Sequence, residues 1–397
     1  MSNERLSEFM QSDLIKKMHK SMKREVLILA SDVRQDSPPR IPTGIFGLDF
    51  ALGGGFPVGR LSLVWGPKAS FKTSMLLKAI SSAQKMCANC WIPHNPITGE
   101  IMCACKNYRP PIIAYLDVEG AMDFSWAGVL GVDPAAILYS IPDHGEQAVD
   151  ICDALLRSAE CDIVCLDSLA FLLPIKEAEE SAEKGLMGEQ PRLIGKAIRK
   201  FIGALNTVGT STDRRPTLLL VNQTRQKMTM FGDPTVQPGG VAPGFMASIE
   251  IRTHTGKYQD VDSGRIPGYV DLGFRIEKSK VGPSKIESQF RLLLMDNDVK
   301  KKGEVQDEIQ IMEFLELAGM LERKGNKWHC FDQEFPQKSL VERKITTDPA
   351  FSYLVRSKLM ERLLKSYNEG IPLGSPSEEA GTKKGAKRGG PEVAKSE

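Results

Sequence analysis

Six short apolar runs alternate along the chain with longer stretches of helical composition: LSLVW (61–65), PIIAYL (111–116), CDIVCL (161–166), TLLLV (217–221), SIEIRT (248–253) and GFRIEK (273–278). Apolar strands separated by helix-length segments predict an α/β fold, a mostly parallel twisted sheet with helices on both faces, because such strands are buried from both sides. Several runs end in polar groups: Gly66 onward, Asp117 with Glu119, Asp167 with Ser168, and Asn222 with Gln223. In an open α/β sheet the ligand crevice lies beyond the carboxyl ends of the strands, so these groups are expected to converge on one site.

The 397 residues, 41% hydrophobic and 26% charged, suit one large domain with one or two small ones. No run approaches about 18 apolar residues and the amino terminus lacks the apolar stretch of a signal peptide, which predicts a cytosolic protein with no membrane partner. The net charge of +2 names no partner class, since a local basic patch can hide in a balanced total.

Residues 4–22 place Leu6, Phe9, Met10, Leu14, Met18 and Met22 at helical spacing, followed by a short strand pattern, EVLILA (25–30). Pro38, Pro39 and Pro42 then separate this arm from the core. The predicted organisation is an arm (1–36), a core (37–298) and a small α/β unit (299–370) with a helix at EIQIMEFLELAGM closed by Gly325 and another near 355–366. A tail of almost no apolar content (371–397) is expected to be disordered. The core carries an insertion at 86–106 and two long connections at 174–192 and 224–244, lengths that are usually functional or disordered inside a compact domain.

WGPKASFKTSM (65–75) follows a strand and opens a helix. A phosphate cradle needs inward backbone N–H groups at a helix amino terminus, a lysine for the phosphates and a hydroxyl for magnesium. Gly66, Pro67, Lys68, Ala69, Ser70, Phe71, Lys72, Thr73 and Ser74 supply that arrangement, but Phe71 stands where the motif has glycine, which is tolerable if its backbone is unstrained. Asp167 suits a magnesium-supporting carboxylate or a helix cap. Glu119 gains weight only from its neighbours at the strand ends.

Cys87-x2-Cys90, twelve residues, then Cys103-x-Cys105 has the spacing of a tetrahedral zinc site, in a loop too poor in apolar surface to fold unaided. A redox pair, unliganded thiols, or His94 in place of one cysteine are the alternatives. Cys152, Cys161, Cys165 and Cys330 read as buried small apolar residues.

Six blocks, PTGIFGLDFALGGGFPVGRLSLVWGPKASFKTS, YLDVEGAMDFSWAGVLGVD, DIVCLDSLAFLLP, MGEQPRLIGKAIRKF, VNQTRQKMTMFGDPTVQPGG and RIEKSKVGPSK, together resemble RecA-type DNA recombinases in order and spacing over roughly residues 5–366. The phenylalanine at the P-loop glycine resembles the phage branch. The resemblance implies a RecA-like ATPase using ATP and Mg2+ that coats single-stranded DNA as a head-to-tail helical filament and exchanges strands with duplex DNA. A loader or single-strand-binding protein is a further implied partner, and the setting is the cytoplasm, the host cytosol if phage-encoded. By the same resemblance Lys72 and Thr73 hold phosphates and magnesium, Asp167 supports the metal, Glu119 orients the attacking water, and Gln223 senses the γ-phosphate. Trp126 stacks on adenine or is a plain core aromatic. Lys278 and Lys280 reach the neighbouring subunit's nucleotide, where without the resemblance they would be a solvated strand end. The segments 174–192 and 224–244 become DNA loops one and two, with Met187, Arg192, Arg199, Arg225, Lys227, Phe231, Gly239 and Gly240 as DNA-contact candidates. The arm is implied to dock on the adjacent protomer, the alternative being packing within the chain. A mediator that binds ATP without exchanging strands and a ring helicase motor are the competing functions.

Overall fold

The computed structural model describes residues 2–22, 27, 37–179, 188–211, 214–226, 235–260 and 267–369. Two compact units are present, Met1–Asp307 and Glu308–Glu397. Helices α1 (Ser2–Met10) and α2 (Asp13–Met22) form the front of the first unit. The apolar period had suggested one continuous helix; the break falls at Gln11–Ser12, where the Ser12 hydroxyl accepts the Ile15 N–H as a cap at 3.5 Å. Leu6, Phe9, Leu14 and Met22 stay exposed while Ile15 is buried. The expected strand at 25–30 lies, apart from Leu27, outside the described residues, as does the tail beyond 369.

The core is built on β1 (Leu61–Gly66), α3 (Lys72–Ala83), β2 (Ile113–Asp117), β3 (Leu138–Ser140), α4 (Gly145–Ser158), β4 (Ile163–Asp167), α5 (Glu189–Ser211), β5 (Thr217–Gln223), β6 (Ile249–Thr253), β7 (Pro267–Ser279) and β8 (Glu287–Leu293). One ten-stranded sheet runs Val305–Gln306, β8, β7, β6, β1, β5, β4, β2, β3, with Lys257–Asp260 paired to β7. From β6 to β3 neighbours are parallel; from β6 to Val305–Gln306 they are antiparallel. The topology is the α/β architecture expected from the runs.

Burial follows that division. β1, β2 and β4 are buried at every position, as strands covered on both faces must be. β7 alternates buried and half-buried residues over most of its 13 residues, which is why only its apolar end stood out in the sequence. On one face Met75, Leu76 and Ile80 of α3 pack with Val64, Tyr115 and Ile251. On the other, Val149 and Cys152 of α4 and Ile198 and Phe201 of α5 pack with Leu63, Leu166 and Leu220. Cys152, Cys161, Cys165 and Cys330 are all buried.

The second unit has a helix at Glu308–Leu317, a three-stranded antiparallel sheet (Leu321–Lys324, Lys327–Cys330, Gln333–Phe335) and helices at Lys338–Thr347 and Pro349–Glu369. Gly319 (φ +65°), not Gly325, follows the first helix; Gly325 (φ +63°) turns the hairpin at 324–327. Both need the left-handed region that glycine enters at no steric cost. Among the described residues no helix is long and apolar enough to cross a membrane.

Candidate functional site

The adjacent parallel strands β1, β5, β4 and β2 all end at one edge, and their last residues meet there. The Thr73 hydroxyl, at the start of α3, donates to Asp167 Oδ2 at 2.6 Å, and the Tyr115 hydroxyl donates to the same oxygen at 2.8 Å. Asp167 is buried, and burial pushes its carboxyl upward against these two donors. A carboxylate held against a hydroxyl at the end of a phosphate cradle is the arrangement a divalent cation bridging phosphate oxygens requires.

The loop 66–71 leaves no room for side chains at its first glycine: a Cβ on Gly66 would sit 2.1 Å from Thr253 Oγ1. The Ser70 hydroxyl lies 2.7 Å from Thr253 Oγ1 and donates to the Pro67 carbonyl at 2.6 Å. The Lys72 ammonium also donates to the Pro67 carbonyl, at 2.5 Å. Burial lowers its pKa, while Asp167 and Glu119 act in the opposite sense. A lysine ammonium aimed across its own loop stands where phosphate oxygens would accept the same protons.

Phe71 departs from the expectation of an unstrained backbone. It lies in the left-handed region (φ 68°, ψ 16°), as Ala69 does (φ 55°). The strain is opposed by packing, since the Phe71 ring meets Phe290 edge-on with centroids 5.5 Å apart and rests on the core.

Trp126 is half-buried at the first turn of Phe124–Val129, capped by Asp123, and its indole N–H donates to Ser74 Oγ at 2.9 Å. The ring is therefore tied to the helix that follows the phosphate loop, and Lys302 Nζ lies 5.7 Å from the ring centroid. The Gln223 amide donates to Glu119 Oε2 at 3.2 Å. Burial raises the Glu119 pKa, reinforced by the charges of Asp167 and Asp117.

Beyond Gln223 the chain is tied back to the cradle by Thr224 N–H to the Gly66 carbonyl at 3.1 Å. Arg225–Gln226 pairs with Thr235–Val236 at the base of the second loop. Arg225 donates to Gln190 at 2.9 Å, joining this loop to α5. Arg192, on the first turn of α5, pairs with Glu189 at 3.1 Å, and Arg199 is exposed on the same helix. Gly239 (φ +87°) has no space for a Cβ, which would lie 2.4 Å from Ile194, and Gly240 (φ +65°) is exposed. Met187, Lys227 and Phe231 lie outside the described residues.

Lys278 and Lys280 stand apart from the cradle. Lys278, on β7, donates to the Gly244 and Phe245 carbonyls at 2.9 and 2.6 Å, and Lys280 is exposed. Lys278 lines a cavity of about 570 Å³ with Trp65, Val241, Phe245 and Glu250. Val241 and Phe245 are 73% and 72% exposed, an apolar feature the sequence reading did not single out. Tyr115 and Thr253 carry no local motif, since their contacts with Asp167 and Ser70 depend on strand register.

The four sulfurs of Cys87, Cys90, Cys103 and Cys105 lie within 4.8 Å of one another. Tetrahedral zinc with sulfur ligands at 2.3 Å spaces them about 3.8 Å apart, so the donor set and its packing fit that ion. His94 is not part of the cluster: its Nε2 meets the Tyr108 hydroxyl at 2.8 Å. Arg109 fastens the module to the start of β4 through a bidentate pair with Asp162 at 2.6 and 2.7 Å.

The chain matches the RecA N-terminal domain family over residues 10–94 and 93–297, two segments that meet inside the cysteine module. It is 33% identical to "Protein RecA" of Kineococcus radiotolerans over 86% of this chain and 88% of that protein. It is 34% identical to "Protein RecA" of Mycolicibacterium gilvum, covering 86% and 87%. With the "Mitochondrial DNA repair protein recA homolog" of Dictyostelium discoideum it shares 32% identity, covering 89% and 71%. Phosphate cradle, strand-end carboxylates and this likeness along most of the chain lead to one conclusion: the protein belongs to the RecA family.

Proposed function

We propose that this RecA-type recombinase binds ATP and Mg2+ at the carboxyl edge of its sheet, assembles head to tail on single-stranded DNA, and catalyses homologous pairing and strand exchange with DNA-stimulated ATP hydrolysis. One observation carries the reading: Glu119, the carboxylate that in this reading orients water, is hydrogen-bonded to Gln223, the residue from which the second loop departs. A γ-phosphate entering between them competes for that bond, so nucleotide state and loop position share a contact.

In this reading Lys72 holds the β and γ phosphates, Thr73 and Asp167 hold magnesium, and Glu119 orients the in-line water. Trp126 offers a ring to the adenine; its indole N–H bond to Ser74 ties the ring's edge to α3. Lys278 and Lys280 act on the neighbouring subunit's nucleotide. Their support is placement at the end of β7, where the exposed Lys280 can face another copy. Arg192, Arg199 and Arg225 meet DNA phosphates, which gives salt-sensitive, sequence-tolerant affinity. The arm covers an adjacent protomer. The exposed apolar face of α1 and α2, and the edge strand β3 with Leu138 exposed and Ile141 exposed just beyond it, support this, since open edges invite an added strand. A contact that does not close on itself generates a helix.

The finer placement in the phage branch rests on Phe71. The cysteine module holds zinc through Cys87, Cys90, Cys103 and Cys105, and the ion serves as a structural crosslink. A loader or single-strand-binding protein assists assembly.

The test is strand exchange between homologous single-stranded and duplex DNA, with Lys72→Ala as control. Joint molecules are expected from the wild type with ATP and none from the variant. DNA-stimulated hydrolysis without joint molecules would instead fit a mediator or a helicase.

A further inference from the structure

Asp117 closes β2 and is 3% exposed, and its side chain bonds to the loop that follows and to the edge strand. Its Oδ1 accepts the Gly120 N–H at 2.8 Å, and its Oδ2 accepts the Met122 N–H at 2.9 Å and the Tyr139 hydroxyl at 2.8 Å. On the other side, the Asp167 carbonyl accepts the Val118 N–H at 2.7 Å and the Glu119 N–H at 3.4 Å. The backbone around Glu119 is thus clamped from both directions, and Gly120 between them sits at φ +66°. Tyr139, on the edge strand β3, is held in turn by Phe124, whose ring meets it edge-on at 5.0 Å. A buried carboxylate that accepts two amides of one five-residue loop and is itself held by a hydroxyl from the edge strand is a device for fixing that loop.

We propose that Asp117 and Tyr139 are positioning residues for ATP hydrolysis: the Tyr139 hydroxyl orients the Asp117 carboxylate, which through the Gly120 and Met122 amides fixes where Glu119 stands relative to the γ-phosphate. The inference rests on Glu119 as the group that orients water. Without the clamp, Glu119 remains in the chain and ATP still enters its cradle, but the carboxylate wanders from the in-line water. Small displacements of a reacting group carry large rate penalties.

The experiment is single-turnover ATP hydrolysis on single-stranded DNA, with ATP affinity measured separately, for Tyr139→Phe, Asp117→Asn, Glu119→Gln and each of the first two combined with Glu119→Gln. Tyr139→Phe removes one hydroxyl and keeps the ring against Phe124, so it separates positioning from loss of fold. The expected result is a loss of roughly tenfold in rate for Tyr139→Phe and more for Asp117→Asn, at unchanged ATP affinity, with no further loss when either is added to Glu119→Gln. A loss of the same factor in the Glu119→Gln background overturns the inference, because the clamp then acts through some other group. Wild-type hydrolysis by Tyr139→Phe and Asp117→Asn beside a crippled Glu119→Gln overturns it while sparing the role of Glu119. Wild-type hydrolysis by Glu119→Gln removes that role and the inference with it.

Discussion

The Gln223 amide and the Glu119 carboxylate are joined by a hydrogen bond of 3.2 Å between the ends of β5 and β2, strands separated in the sheet by β4. One residue further on, Thr224 N–H bonds to the carbonyl of Gly66 at 3.1 Å, so the start of the second loop is fastened to the phosphate loop as well as to the carboxylate.

Glu119→Gln is expected to keep ATP binding and DNA-bound filaments while lowering hydrolysis by roughly 10²–10⁴-fold, the usual contribution of a positioned acid or base. Gln223→Ala is expected to retain basal hydrolysis and lose its stimulation by single-stranded DNA. Phosphate release with and without oligonucleotide distinguishes the two variants.

The same carboxylate sets an acid limit. Burial, with the charges of Asp167 and Asp117, raises the Glu119 pKa, so protonation begins at a higher pH than for an ordinary glutamate. Hydrolysis that needs the ionised form is present above that pKa and lost as pH falls through it. The acid limb of the single-turnover rate should therefore lie above the ordinary glutamate range, near 4.3. A flat rate down to that range would contradict the assignment.

At Phe71 the expected order of stability is Phe71→Gly above Phe71→Ala. Both lose the ring contact with Phe290, but alanine keeps the left-handed backbone at φ 68° that glycine adopts freely, a difference of about 1 kcal/mol. Urea denaturation of the two variants reads it directly, and an inverted order would mean that the loop relaxes to another conformation.

Protein purified without chelator should contain one zinc per chain, released by a thiol-modifying mercurial. Its removal is expected to speed amide exchange at Cys87, Ala88 and Trp91, whose N–H groups bond within the module or to its Arg109 carbonyl, while leaving β1 and β5 protected. Metal analysis finding no zinc would leave the four sulfurs as unliganded thiols.

Much of this was legible along the chain because local rules governed it. Continuous apolar runs became strands buried on both faces, and the cysteine spacing alone brought four sulfurs together. The DxE pair at the end of β2 and the NQ pair that closes β5 mark strand ends that converge because parallel strands share their carboxyl edge. The arm's period was visible, but its interruption at Ser12 came from a hydroxyl cap that competes with the helix. The end of the helix Glu308–Leu317 is not legible in the chain because two glycines could serve, and only the backbone shows that Gly319 follows the helix while Gly325 turns a hairpin.

Sequence by itself determined the α/β layering, the phosphate loop and the identity of the strand-end groups, since these follow from periodicity and residue chemistry over a few positions. Tertiary structure alone decided which of those groups touch. The Thr73–Asp167 and Gln223–Glu119 bonds, the Thr253 contact that keeps Gly66 free of a side chain, and the Asp117–Tyr139 clamp all join residues brought close by sheet order and register. Register is set by summed packing over two faces, a quantity that no short stretch of sequence contains.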